Sequence, residues 1–373
     1  MPIAAMAERL RAVIVGAGLG GLAAAVALTR RGLDVRVYEQ AAGLGEVGAG
    51  IALAVNGLRV LEGLGLGPQA RRWGAPMTAP QLCLADGQPM ARPPGTFARA
   101  RHNLGFHRAD LLAVLADALP PGVVRTGHRC TGFAGGQVQF ASGAAAAADV
   151  VIGADGIHSV LQGYAVEPAE PVYSGVVAYR GVIPAALVPA WPAGMVRLWM
   201  GEGRHFLVYP VRAGELLNYV GFLPAAQLDE SWSARDHSAA LAEGFAGWDP
   251  LVATIIGAIG GNGFRSGLYD RAPLRRWSTG RLTLLGDAAH PMLPHLGQGL
   301  NQALEDAVPL AALLGTADRD DVPKALAVYE TLRLERTARV QHASRLDGSS
   351  YDSSGERLGD HSWIYDYDIR AAR

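Results

Sequence analysis

Gly16, Gly18 and Gly21 stand in the spacing G-x-G-x-x-G, and Glu39 follows the last glycine by 18 positions. Each suits a dinucleotide. Gly16 permits a tight turn, Gly18 lets the backbone approach a pyrophosphate, and Gly21 lets a helix pack closely on a strand. A helix starting there turns its partial positive charge toward the phosphates. Glu39 can accept hydrogen bonds from a ribose diol. An ordinary Gly-rich turn would not require the strand Val13-Ile14-Val15 before it, the Ala/Leu-rich helix after it and an acid at that offset. The motif by itself does not choose between NAD and FAD.

Two further segments make that choice. Gly153-Ala154-Asp155-Gly156-Ile157-His158-Ser159 follows the apolar run Val150–Ile152. Gly286-Asp287-Ala288-Ala289-His290-Pro291 follows Arg281–Leu285, and continues through Pro294-His295-Leu296-Gly297-Gln298-Gly299-Leu300-Asn301 to Glu305-Asp306-Ala307. In this order and spacing they resemble the single-component FAD-dependent aromatic hydroxylases, the fold family of p-hydroxybenzoate hydroxylase. The resemblance runs from Val13 to about Arg345. Its nearest branch contains salicylate hydroxylase and 6-hydroxynicotinate 3-monooxygenase. Glu46-Val47-Gly48-Ala49-Gly50-Ile51 with Asn56, His107–Leu112, Tyr209-Pro210 and the ending Trp363-Ile364-Tyr365-x-Tyr367-Asp368 are similar to that branch too.

The resemblance implies roles. Asp287 would hydrogen-bond a ribityl hydroxyl of a noncovalent FAD, and Arg108 would contact the cofactor. Pro294, Gly297, Gly299, Leu300 and Asn301 would run along the isoalloxazine and open the next helix, whose positive end suits a reduced flavin. Gly50 belongs to the same FAD set, and Asp155-Gly156 would support both FAD and a transient NADH or NADPH. His158 and His290 read as structural neighbours of these groups. There is one departure: the family's Asp-Gly motif usually ends in an Arg three residues after its Ser, where this chain has Gln162.

The implied reaction is NAD(P)H-dependent hydroxylation of a small aromatic compound by O2 through a C4a-hydroperoxyflavin. The substrate would be a phenol, a hydroxybenzoate or a hydroxylated N-heterocycle. Such chemistry needs a base on the substrate hydroxyl. The candidates are His205, Tyr209 and Arg180, with Tyr219 beside them, and His295 as the base to examine if His205 is not it. On a strand His205, Leu207 and Tyr209 share one face and Phe206 and Val208 the other, and the sequence leaves open which face is the pocket. Arg204 reads as a solvated edge cation. A flavin reductase or dehydrogenase without oxygen transfer is the rival. A halogenase is excluded, because the lone Lys324 lies in a C-terminal helix and no W-x-W-x-I-P segment is present.

These residues need a scaffold. Strand, glycine turn, helix and strand succeed one another through Glu39, and helices are expected from Asn56 and over Ala109–Leu119. The stretch 76–100 reads as short paired strands. Tyr173–Ile183, Val196–Met200, His205–Val211 and Leu216–Phe222 read as antiparallel strands, followed by a helix near 234–247. A helix then runs to Gly315, with Pro309 expected to kink it or shift its end. Asp321 caps a long amphipathic helix, and a polar tail starts at Gly348.

The fold class is α/β: a Rossmann-like FAD-binding domain (8–75, 101–165 and 270–347) interleaved with a mixed-sheet substrate domain (76–100 and 166–269), a long C-terminal helix and a tail (348–373). A length of 373 residues fits two cores better than one. The formal charge of −1 offers no basic excess for nucleic acid. Cys83 and Cys130 suggest neither a disulfide framework nor a metal site, which points to a reducing cytoplasm. The glycine-broken stretch Ala12–Leu28 suits neither a membrane span nor a secretory signal. A monomer or homodimer is expected.

Overall fold

The computed structural model describes residues 9–45, 49–90, 102–167, 170–225, 234–235, 238–260, 263–352 and 359–371. Glu46, Val47 and Gly48, and the part of the 76–100 stretch beyond residue 90, lie outside the described residues.

Five short strands form a parallel sheet in the order Leu282–Leu284, Val150–Gly153, Arg11–Val15, Asp34–Tyr38 and Val124–Arg125. Val13, Ile14 and Val15, like Val150, Val151 and Ile152, are buried. Such uninterrupted apolar runs fit strands covered on both faces. The Leu19–Arg30 helix is buried from Leu22 to Leu28, because it packs between the sheet and the Gly299–Leu314 helix. Parallel strands bring their carboxyl ends to one edge. The turn at Gly16, Glu39, the Ala154-Asp155 turn and the Gly286-Asp287 turn therefore emerge together. Gly16 N–H donates to Tyr38 O at 2.8 Å, Ala154 N–H to Val15 O at 2.8 Å, and Leu285 N–H to Gly153 O at 2.9 Å.

A seven-stranded mixed sheet follows, in the order Ala234–Arg235, Phe264–Asp270, Val172–Pro184, Leu216–Pro224, Arg204–Val211, Arg197–Gly201 and Gln81–Leu84. Only the last pairing is parallel. One face, carrying Val177, Trp199, Phe206, Val208 and Tyr219, packs on the helices Ser238–Gly244 and Pro250–Gly257. The helix expected over 234–247 is thus shorter, and the Pro250–Gly257 helix is additional. Asp249 starts it: its Oδ1 accepts from Leu251 N–H at 2.9 Å and its Oδ2 from Trp199 Nε1 at 2.8 Å.

The Gly299–Leu314 helix does not end at Pro309. The Val322–Asp352 helix does not end at Gly348 either, although Gly and Ser are weak helix formers. Tertiary packing overrides that preference, because Tyr351 is buried one turn further on. Between these two helices Arg333 is fully enclosed, pairing with Asp306 at 2.7 Å and Glu305 at 2.8 Å. Buried charges persist when paired and hydrogen-bonded in this way.

Candidate functional site

The free face of the mixed sheet, the Gly50–Leu53 strand and the 292–300 loop enclose a cavity of about 640 Å3. The covered face fixes which side chains reach it. Phe206, Val208 and Tyr219 are held under the helices, so His205, Leu207 and Tyr209 point into the cavity, joined by Arg180 from the Val172–Pro184 strand. Tyr219 is therefore not in the group. Arg204 pairs with Glu202 at 3.1 Å, away from the cavity.

His205 stacks on Phe222 with centroids 4.0 Å apart. Burial, with His205 and Arg180 nearby, pulls the His295 pKa down to about 3. Burial lowers Arg180 to about 10, Tyr209 opposing and Arg108 adding to the shift, and so the guanidinium remains charged at neutral pH. Burial raises Tyr209 well above its usual range despite Arg180, which keeps its hydroxyl protonated as a donor.

Asp287 opens onto the same cavity. The protein crowded around it still raises its carboxyl pKa, against the pull of His290 and Arg108. Gly50, Arg108, Pro294, Gly297, Gly299 and Leu300 also line the space. Asn301 does not: its Oδ1 accepts from Ala54 N–H at 2.9 Å, and its Nδ2 donates to Gly297 O at 2.8 Å and Ala52 O at 3.2 Å. It ties the loop to the neighbouring strand.

Gly16, Gly18, Gly21, Glu39, Asp155 and Gly156 sit at the parallel-sheet edge rather than on the cavity wall. Gly16 has φ +103°, and a Cβ there would collide with Ala154 O; a Cβ on Gly21 would collide with Gly16 O. Gly18 differs, because a Cβ there meets nothing within 4 Å. Glu39 accepts from Ala17 N–H and Ala41 N–H, each at 2.8 Å, leaving lone pairs for a diol. Asp155 caps its own turn, accepting from Ser159 Oγ at 2.6 Å and Val160 N–H at 2.8 Å.

These features fit FAD. The helices starting at Leu19 and Gly299 carry no side-chain cap and no acid in their first turn. Their first N–H groups are thus left for a pyrophosphate and for the electron-rich end of a flavin. The Gln162 departure has a local explanation. Gln162 is buried, its Nε2 donates to Ala288 O at 2.9 Å, and its Oε1 accepts from Arg271 Nη1 at 2.7 Å. A cation from another part of the chain stands beside it.

Several cavity residues escaped the sequence reading. Val220 and Phe222 follow from strand alternation once the covered face is known. Tyr351 and Tyr365, from the C-terminal region, also line the wall; Tyr365 belongs to the ending that resembles the hydroxylase branch, whereas no local pattern signals Tyr351.

The FAD binding domain family matches residues 9–344. The chain is 39% identical to 3-amino-4-hydroxybenzoate 2-monooxygenase of Streptomyces platensis, covering 97% of both. It is 35% identical to 6-hydroxynicotinate 3-monooxygenase of Bordetella bronchiseptica, covering 98% of this chain and 97% of that one. Among solved structures, HpxO of Klebsiella pneumoniae with FAD and uric acid superposes with a TM-score of 0.82 at 30% identity, covering 97% of this chain and 92% of that one.

Proposed function

The chain belongs to the FAD binding domain family and is an FAD-dependent aromatic hydroxylase using NAD(P)H; from that premise we propose that its substrate is a hydroxylated benzene or pyridine carboxylate. The carrying observation is Arg180. Its guanidinium faces an otherwise largely apolar cavity, and its buried Nε has no hydrogen-bond partner among the described residues. A buried charge calls for a counter-charge. A substrate carboxylate supplies one with bidentate geometry. The relatives named for 3-amino-4-hydroxybenzoate and 6-hydroxynicotinate act on compounds of this class.

Bound FAD, reduced by NAD(P)H, supplies the activated oxygen. The chain's residues position and polarise the ring. Arg180 fixes the carboxylate, His205 takes the proton of the ring hydroxyl, and Tyr209 donates a hydrogen bond to the oxygen so formed. FAD would be held by Gly16, Gly18 and Gly21 at the pyrophosphate, Glu39 at the ribose, Asp287 at the ribityl chain and the Pro294–Leu300 loop at the flavin. Asn301 acts from behind that loop, and Gly50, Arg108, Asp155 and Gly156 complete the set. We take the parallel sheet as the core of an FAD domain and the mixed sheet as the core of a substrate domain.

Two free, buried cysteines support a reducing, cytoplasmic setting. Among the described residues no helix is long and apolar enough to cross a membrane. We take the assembly to be a monomer or homodimer, which light scattering distinguishes. The substrate test is NAD(P)H oxidation with product mass, run on hydroxybenzoates and hydroxynicotinates beside the matching phenols and hydroxypyridines. Carboxylates should be preferred, and Arg180→Gln should erase the preference. Equal turnover of acids and their decarboxylated analogues by the wild type overturns the assignment.

A further inference from the structure

The last turns of the Val322–Asp352 helix read the flavin-edge loop at alternate carbonyls. Gln341 Nε2 donates to Pro291 O at 2.8 Å, and Ser344 Oγ donates to Leu293 O at 2.5 Å. Next in this ladder, the Tyr351 hydroxyl lies 3.4 Å from His295 O. The helix approaches so closely at Gly348 that a Cβ there would come within 2.7 Å of the His295 ring. Tyr351 is 5% exposed, and its ring centroid stands 5.4 Å from that of His205 and 6.1 Å from that of His295.

The Tyr351 hydroxyl has one proton and two acceptors, since Asp347 Oδ2 also lies at 3.4 Å. Asp347 is itself anchored: His361 Nε2 is 2.9 Å from each of its oxygens. His361 begins the segment that carries Tyr365 onto the cavity wall. That segment is held where Arg336 donates to Ile364 O at 3.0 Å and Arg59 donates to Tyr365 O at 2.6 Å. The end of the chain is thus fastened behind the part of the cavity where His205 lies.

We propose that Tyr351 is a specificity-determining residue of this hydroxylase, setting how large a ring substituent fits beside His205, and that Asp347 and His361 are positioning residues that hold it there. The proposal rests on the cavity being the substrate site. It does not rest on the substrate being a carboxylate.

The test uses the FAD-loaded enzyme and pairs of probes: salicylate, 3-hydroxybenzoate and 6-hydroxynicotinate, each against its ring-methylated form, with phenol and the cresols as the pair lacking a carboxylate. Tyr351→Ala should raise the ratio of kcat/KM for methylated over parent probe at least about tenfold, the size of effect one methylene commonly has on discrimination. The flavin absorbance of each purified variant shows that it is FAD-loaded before its ratio is compared. Tyr351→Phe keeps the ring but loses the hydroxyl through which Asp347 holds it, so it should move the ratio in the same direction as Tyr351→Ala by less. Asp347→Asn and His361→Gln should move the ratio in the same direction by less, which a purely structural loss of stability would not do. An unchanged ratio in a folded, FAD-loaded Tyr351→Ala enzyme overturns the proposal. A wild type that accepts only the phenol pair overturns the carboxylate reading instead, and the phenol pair then judges Tyr351.

Discussion

The rings of His205 and His295 stand 5.3 Å apart, one on the mixed sheet and one on the loop after the parallel sheet. They are not equivalent as bases. A phenolic proton leaves a group of pKa about 10, and an imidazole held down to about 3 is a poor receiver for it. His205→Ala should therefore keep FAD and flavin reduction while hydroxylation slows by roughly 10²–10⁴-fold. NAD(P)H consumption should divert to peroxide. Product yield per NAD(P)H, set against the same measurement on His295→Gln, checks it; an unchanged yield removes His205 from the mechanism.

The depressed pKa of His295 also predicts a pH dependence of stability. The folded state keeps this imidazole neutral down to about 3, whereas the unfolded chain takes up a proton near 6.5. The unfolded state then holds more protons between those values, so stability falls as pH falls through that window. The slope is at most about 1.4 kcal/mol per pH unit for one group. Urea unfolding from pH 7 to pH 5 should show His295→Gln losing less stability than wild type over the same interval.

Gly18 separates cofactor binding from folding. Its backbone is extended, with φ −67° and ψ 174°, and a side chain there would enter open space. Gly18→Val should fold and melt like the wild type yet purify colourless, since its methyls would stand where the pyrophosphate belongs. Yellow Gly18→Val protein with normal FAD affinity would remove the phosphates from this turn.

How legible each residue was in the sequence follows from the range of the interactions that place it. Gly16, Gly18, Gly21, Glu39 and Asp287 were readable because a strand end and the turn after it are local, and parallel pairing then gathers the turns. The His205 and Tyr209 face was not, because both faces of that strand are apolar and only the helices over Phe206 and Val208 decide between them. The Asp249-Pro250 start of one of those helices is a local signal, since Asp is a favoured N-cap and Pro a favoured first helical residue. Tyr351 was hidden by Gly348-Ser349-Ser350, which reads as a helix end until the contact with His295 is known.

Asp287 should prove a cofactor residue by what it does not do for the fold. Among the described hydrogen bonds none goes to its carboxylate, and the protein crowded around it disfavours its charged form although it opens onto the cavity. Asp287→Ala should leave the FAD-free protein as stable as before or more so. FAD affinity should fall about ten- to a hundred-fold, as expected from losing a charge-assisted hydrogen bond of roughly 1.5–3 kcal/mol. Titration calorimetry against FAD, with thermal melts of the FAD-free protein, measures both.

Gln162 departs from the residue the family pattern has at its position. Its amide joins Ala288 O to the Arg271 guanidinium, and burial already lowers the pKa of Arg271. Restoring Arg by Gln162→Arg would set two guanidinium groups against each other in a buried space. The expected loss is about 3–5 kcal/mol, the range for an uncompensated buried charge. Arg271→Gln alone should also destabilise, since Gln162 Oε1 loses its donor. The exchanged pair, Gln162→Arg with Arg271→Gln, returns one cation and one amide to the same space and should recover most of the loss. A double-mutant cycle by denaturant unfolding should give a coupling of about 2 kcal/mol or more. Simple additivity of the two changes would mean that Arg271 does not stand in for the missing arginine.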